Sequence, residues 1–161
     1  MGKSWRGVME RRALLDTNVV IDFLDSARPH HETAVDLLGV LIQLGAAVCV
    51  PASSLTDVYY VLRRTAGEPA ARRAVGALVE ALRVVAVDAD ICRAALASDE
   101  PDFEDGVVRA CAESISAHWL VTRDQTAFAH APVATVTPAD LLARLTAPGT
   151  PGQPRKMLSE I

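Results

Sequence analysis

The chain has 161 residues, half of them hydrophobic and 22% charged, with a formal net charge of −4. That length holds one domain with a sizeable core and excludes two ordinary ones, and the composition excludes a disordered chain. No apolar run approaches the roughly 20 residues that span a bilayer, and the charged segment Met1 to Arg12 lacks the apolar stretch of a secretory signal. Aromatics are scarce, so the core must be built mainly from Ala, Val and Leu.

In chain order, residues 12–16 read as a short apolar strand ending at Asp16, followed by a short helix over Val19 to Asp25. Apolar residues recur at helical spacing from His31 to Leu44, and Gly45 stops that helix. A buried strand over Ala46 to Val50 follows. Ser53 and Ser54 then offer N-caps for a helix to about Thr65. Gly67-Glu68-Pro69 turns into a helix over about 69–82, and Val84 to Val87 is a third strand. A helix from Asp88 to about Ser98 ends at an acidic break, Asp99-Glu100-Pro101. The next helix spans about Phe103 to Ala117, with the strand Trp119 to Val121 behind it. Pro132 to Thr135 is a last short strand and Pro138 to Leu145 a closing helix. Residues 1–11 read as an N-terminal extension, 12–146 as one domain, and 147–161 as a disordered tail rich in Gly, Pro and charge.

Strands alternating with helices predict a parallel sheet covered on both faces. Sheets of that kind bind ligands at the carboxyl ends of their strands, where Asp16 and Asp124 both fall. A carboxylate at the end of a buried strand is desolvated, and several together repel one another. A hard divalent cation with oxygen ligands relieves both costs, so the acids predict a metal-dependent site that handles phosphate.

Each acid also has a plainer reading. Asp16 could cap the helix after it, but Thr17 or Asn18 could do so equally well, which leaves Asp16 for a metal. Asp57 stands three residues after Ser54, the spacing of a capping box, so a cap and a site role are both open. Asp102 is a natural N-cap with Asp105 at the third helical position. Val108, Ala112 and Ile115 continue from Asp105 at helical spacing, so Asp105 should face the buried side and Glu104 elsewhere. Asp105 is therefore the favoured ligand of this segment and Asp102 a secondary one. Asp124 could equally be a turn acid. Beside it, Thr122 could orient a water or a carboxylate, and Arg123 could contact phosphate. His30 and His31 read as surface or helix-start residues, and Asp22, Asp25 and Asp140 as solvated.

The negative sum does not exclude RNA, because local patches set the field a ligand feels. All basic residues but Lys3 and Lys156 are Arg, with clusters at Arg63-Arg64 and Arg72-Arg73. Arginine suits bidentate phosphate contacts, although a solvated helix surface would look the same. Cys49, Cys92 and Cys111 form no Cys-x-x-Cys pair and sit among apolar neighbours, so buried reduced thiols of a cytosolic protein are expected, without zinc.

Four segments, Leu14-Leu15-Asp16-Thr17-Asn18-Val19-Val20-Ile21-Asp22, Ser53-Ser54-Leu55-Thr56-Asp57, Asp102-Phe103-Glu104-Asp105-Gly106 and Leu120-Val121-Thr122-Arg123-Asp124, stand in one order over residues 12–146. Together they resemble the PIN-domain family, and in particular the VapC-like toxin ribonucleases of toxin–antitoxin modules. The resemblance implies a three-layer α/β/α sandwich with a central, mainly parallel sheet. It also implies Mg²⁺ or Mn²⁺ held by Asp16, Asp57, Asp105 and Asp124 for hydrolysis of RNA, beside the secondary ligand Asp102 read from its helix position. Arg63, Arg64, Arg123, Thr122 and Asn18 become candidates to contact the substrate. A cytoplasmic protein with a cognate antitoxin and a homodimer is implied as well. The family's second acid is most often Glu, and the shorter Asp57 would suit a water-bridged contact. Gly106, where the family often carries Ala, would loosen the first helical turn.

Three other readings stay open on the sequence. The domain could be an RNA-processing PIN nuclease that is no toxin, or a catalytically weak PIN domain that binds RNA or protein. A phosphatase or phosphoacceptor domain would also place acids at strand ends. That reading lacks Asp-x-Asp on the first strand, which here is Asp16-Thr17-Asn18, and lacks a lysine inside the domain.

Overall fold

A computed structural model of the protein describes residues 10–148. Strand β1 (Arg12–Leu15) leads into helix α1 (Thr17–Leu24), and α2 (His31–Gln43) precedes β2 (Ala47–Pro51). Helices α3 (Ala52–Ala66) and α4 (Glu68–Ala81) lead to β3 (Arg83–Val85). Then come α5 (Ala89–Leu96), α6 (Phe103–Ser114), β4 (Trp119–Val121), β5 (Thr135–Val136) and α7 (Pro138–Thr146). The five strands form one sheet in the order β3-β2-β1-β4-β5, and all four pairings are parallel. The chain therefore has the three-layer α/β/α architecture that alternating strands and helices predict.

Side chains alternate across the sheet, and both faces are covered, as parallel sheets require. Ala13, Leu15, Val48, Val50, Val121 and Val136 pack beneath α1, α2, α3, α4 and α7. Leu14, Cys49 and Leu120 point the other way, against α5, α6 and Phe128. Full burial of each such Leu or Val side chain stabilises the fold by roughly 1.5–3 kcal/mol. Strand order reverses at β1, which lies between β2 and β4. Such a reversal opens a crevice at the carboxyl edge of the sheet, at the point where the chain leaves β1.

Several boundaries differ from expectation for local reasons. The last strand covers Thr135 and Val136, not residues 132–135, because it pairs with Leu120 and Val121 of the short β4. Helix α3 begins at Ala52 with Pro51 as its N-cap, without a side-chain cap from Ser53 or Ser54. Helix α2 does end as expected: Gly45 takes φ +70°. Its N–H bonds the Ile42 carbonyl and that of Ala46 bonds Leu41, closing a Schellman motif.

Gly106 does not loosen α6; it lets α6 approach α5. A Cβ there would stand 2.8 Å from the Ala95 carbonyl oxygen and 3.0 Å from Ser98 Oγ. Cys49 and Cys111 are buried, whereas Cys92 is only half-buried, and all three are free. Burial pushes the Cys111 thiol up to about 11. The expected tail lies outside the described residues beyond Pro148, as does the N-terminal extension before Glu10. No helix among the described residues is long and apolar enough to cross a membrane.

Candidate active site at the carboxyl edge of the sheet

Asp16 is the first residue past β1, and its backbone N–H still bonds the Val121 carbonyl of β4 at 2.9 Å. Its side chain is buried and serves as the N-cap of α1, contrary to the expectation that a neighbour would take that role. Oδ1 accepts from the Thr17 backbone N–H at 2.7 Å. Oδ2 accepts from the Thr122 hydroxyl at 2.8 Å and from Asn18 Nδ2 at 3.2 Å. Thr17 and Asn18 therefore hold Asp16 instead of replacing it. Burial raises the Asp16 pKa, the Thr122 and Thr17 hydrogen bonds oppose that shift, and the Asp124 charge adds to it.

Thr122 is fully buried directly after β4. While its hydroxyl donates to Asp16, its oxygen accepts from the Asp124 backbone N–H at 3.0 Å. One threonine thus sets the relation between two acids on neighbouring strands. Asp124 is exposed, and its Oδ1 accepts from the N–H groups of Thr126 and Ala127 at 3.1 Å each, so it also holds the turn after β4.

Asp57 approaches from α3. It is the sixth residue of that helix, and no acid lies in the first turn, so the capping-box alternative is removed. Ser54, one turn earlier, is buried and accepts from the Thr17 hydroxyl at 2.8 Å, tying α3 to the start of α1. Asp57 is half-buried, and burial raises its pKa.

Helix α6 supplies the remaining acids. Asp102 is its N-cap, as expected, with Oδ1 accepting from the Asp105 N–H at 2.9 Å. Burial, followed by the charges of Asp102, Asp16, Glu104 and Asp124, pushes the Asp105 carboxyl up to about 6. Glu104 is exposed, and its pKa is raised first by partial burial and then by the charges of Asp57, Asp102 and Asp16, so it feels the same acids although it lies off the Asp105 stripe. Helical spacing alone put Glu104 off the Asp105 face; the position of α3, invisible in local sequence, brings Asp57 to it.

The acids of four separate segments therefore share one electrostatic neighbourhood. Among the described residues, however, no three His, Cys, Asp or Glu side chains are gathered as a ready cation cage. The donor set itself suits a hard divalent ion, being all carboxylate oxygen with threonine and asparagine behind it. The carboxyl pKa values are raised first by burial and then, at Asp16, Glu104 and Asp105, by the charges of neighbouring acids.

The arginines are placed differently from one another. Arg63 and Arg64 are exposed in the last turn of α3, about 10 Å along the helix axis from Asp57 by the rise per residue. Arg72 is held by Glu68 at 2.6 Å. Arg123 points toward α1, where its Nε stands 2.8 Å from Asp22 Oδ2. Asp22 is not solvated. Its side chain is 1% exposed, and Arg28 Nε lies 2.6 Å from Oδ1. His31 Nδ1 lies 2.9 Å from the Asp22 carbonyl oxygen across the same turn. A signal for this burial was present: Asp22 interrupts the apolar run Val19, Val20, Ile21, Phe23, Leu24.

The sequence profile of the PIN domain matches residues 12–126, and the chain belongs to the PIN domain family. No curated protein sequence matches it significantly. The fold is similar to that of VapBC2 from Rickettsia felis bound to a fragment of promoter DNA, at 12% identity and a TM-score of 0.62, over 78% of this chain and 98% of that one. It is also similar to FitAcB from Neisseria gonorrhoeae, at 24% identity and a TM-score of 0.58, over 79% of this chain and 98% of that one. A third similar structure is VapC20 of Mycobacterium tuberculosis, a toxin that cleaves the sarcin–ricin loop. It matches at 21% identity and a TM-score of 0.56, over 67% of this chain and 86% of that one. At these identities the likeness establishes the fold.

Proposed function

We propose that this PIN domain is a metal-dependent endoribonuclease and the toxin of a toxin–antitoxin pair. The observation that carries the reading is that Thr122 ties Asp16 to Asp124 at the carboxyl ends of neighbouring strands, while the charges of Asp102, Asp16, Glu104 and Asp124 act on Asp105 of α6, whose carboxyl burial and those charges raise to about 6. When bound, Mg²⁺ or Mn²⁺ supplies charge neutralisation and activation of water for attack on phosphorus. Asp16 and Asp105 would hold it, with Asp124 and Asp57 completing the site and Asp102 in reserve. Thr122 and Asn18 fix the Asp16 carboxylate in one orientation, so that little reorganisation is needed as charge develops. Arg63, Arg64 and Arg123 are the candidates to steer the RNA backbone.

The toxin assignment draws on the likeness to VapBC2 and VapC20. By the same analogy the partner is an antitoxin that covers the acidic edge, and the working unit is a homodimer in the cytoplasm. The test is cleavage of a labelled RNA pool with Mg²⁺ or Mn²⁺ against EDTA, with Asp16→Asn beside the wild type. Metal-dependent cleavage lost in the variant is the expected result. A folded, antitoxin-free protein that cleaves nothing would leave a binding module instead.

A further inference from the structure

A cavity of about 400 Å³ opens at the carboxyl edge of the sheet, lined by His30, Thr33, Arg123, Thr137, Pro138 and Ala139. Its walls come from the residues that follow β4 and β5 and from the start of α2. That volume falls in the range of small-ligand sites. The lining combines apolar surface from Pro138 and Ala139, an imidazole, two hydroxyl groups and a guanidinium.

Two guanidinium groups, those of Arg28 and Arg123, meet one buried carboxylate, that of Asp22, behind this wall. The two ion pairs are not equal. Arg28 Nε donates a hydrogen bond to Asp22. Arg123 Nε and Asp22 Oδ2 lie close but make no aligned hydrogen bond. Arg123 is thus held in place by attraction to Asp22 and also acts on Asp16, while its guanidinium lines the cavity with no aligned hydrogen bond from its Nε. Its chain neighbours are Thr122, which holds Asp16, and Asp124, so the cavity adjoins the acidic centre.

We propose that this cavity is a nucleotide subsite, which receives the residue of the RNA next to the scissile bond. Arg123 meets its phosphate, Thr33 and Thr137 offer hydrogen bonds, and the base lies against Pro138, Ala139 and the His30 ring. The role in RNA cleavage rests on the nuclease reading, while occupancy of the cavity by a nucleotide does not.

Replacing Arg123 would strip a partner from buried Asp22 and confuse binding with stability. Ala139→Asp and Thr33→Glu avoid this. Both positions lie in the first turn of a helix, where an acid is favourable to the helix, and both put negative charge into the cavity. The experiment titrates nucleoside 5′-monophosphates, and separately inorganic phosphate, into the ¹⁵N-labelled full chain in EDTA. Saturable shifts at Thr33 and Ala139 are expected at millimolar nucleotide. Both variants should weaken that binding on the order of tenfold, the scale of one adverse charge contact. Phosphate alone should bind more weakly than the nucleotide. Absence of saturable binding, equal binding of phosphate and nucleotide, or unchanged affinity in both variants would overturn the subsite. On labelled RNA the same variants should raise KM with little change in kcat. If the wild type cleaves no RNA, the nuclease reading fails while the titration still decides the cavity.

Discussion

Helix α1 carries two buried carboxylates, six residues apart, with opposite electrostatic settings. Asp22 is paired with Arg28 and Arg123, so its charge is met inside the chain. Asp16, at the start of the same helix, is met by a backbone N–H, a hydroxyl and an amide. Its strongest charged neighbour is another acid, Asp124. Burial alone therefore does not mark a functional acid. What separates the two is whether the countercharge wins: at Asp22 two guanidinium groups meet one carboxylate, whereas at Asp16 the charge of Arg123 is outweighed by that of Asp124.

Exchanging the roles of these acids in experiments would break or sharpen the contrast. Asp16→Asn should lower RNA cleavage by roughly 10³-fold, the scale of losing a principal electrostatic group from a catalytic site. Asn keeps the cap to the Thr17 N–H but puts an amide NH2 where Oδ2 accepts from Thr122 and Asn18, so a loss of about 1 kcal/mol is expected; single-turnover cleavage and a denaturation curve check both halves. Asp22→Ala should do the reverse in kind. It leaves two guanidinium groups without their buried partner and should cost about 3 kcal/mol of stability, read from the urea midpoint at pH 7. If Asp22→Ala instead left stability intact and removed cleavage, the division between the two acids would be wrong.

Gly106→Ala probes what holds the α6 acids in place. A Cβ placed 2.8 Å from the Ala95 carbonyl forces α5 and α6 apart. The expected loss is about 1–3 kcal/mol, with Asp105 displaced from its neighbours. The smallest effect is a pH dependence. The Asp105 carboxyl rises from 3.8 to about 6 in the folded state, so its protonation favours folding. The stabilisation is full below 3.8 and is lost as pH rises through about 6. Asp105→Asn should therefore raise Tm at pH 7, and the gain should vanish near pH 4. A gain of equal size at both pH values would show that packing, not charge, is responsible. Mg²⁺ or Mn²⁺ at pH 7 should raise the wild-type Tm by linkage and lose that effect in Asp16→Asn.

Much of the fold is legible in the chain because its signals are local. Apolar runs of three to five residues, helical stripes and the Gly45 stop give the alternation of strands and helices, and that alternation implies a parallel sheet. The four acidic segments are legible as well, since Asp16 and Asp124 directly follow buried strands. What local signals did not give was which elements bring their acids together. Glu104 lies off the Asp105 stripe of its own helix and yet joins the acidic field, because α3 brings Asp57 to it. Asp57 resembles a capping-box residue only if Ser54 is the N-cap of α3, and the N-cap is Pro51, three residues sooner.

The sequence by itself determined the element order, the parallel sheet and the places where acids meet strand ends, because periodicity and turn chemistry act over a few residues. Only the tertiary structure decided that Thr122 joins Asp16 to Asp124, that Ser54 ties α3 to α1, and that Asp22 and not solvent holds Arg28 and Arg123. Those contacts link segments whose separation along the chain carries no local signal. Packing alone brings them within hydrogen-bond or ion-pair distance, and there the choice between a paired charge and an unpaired one is made.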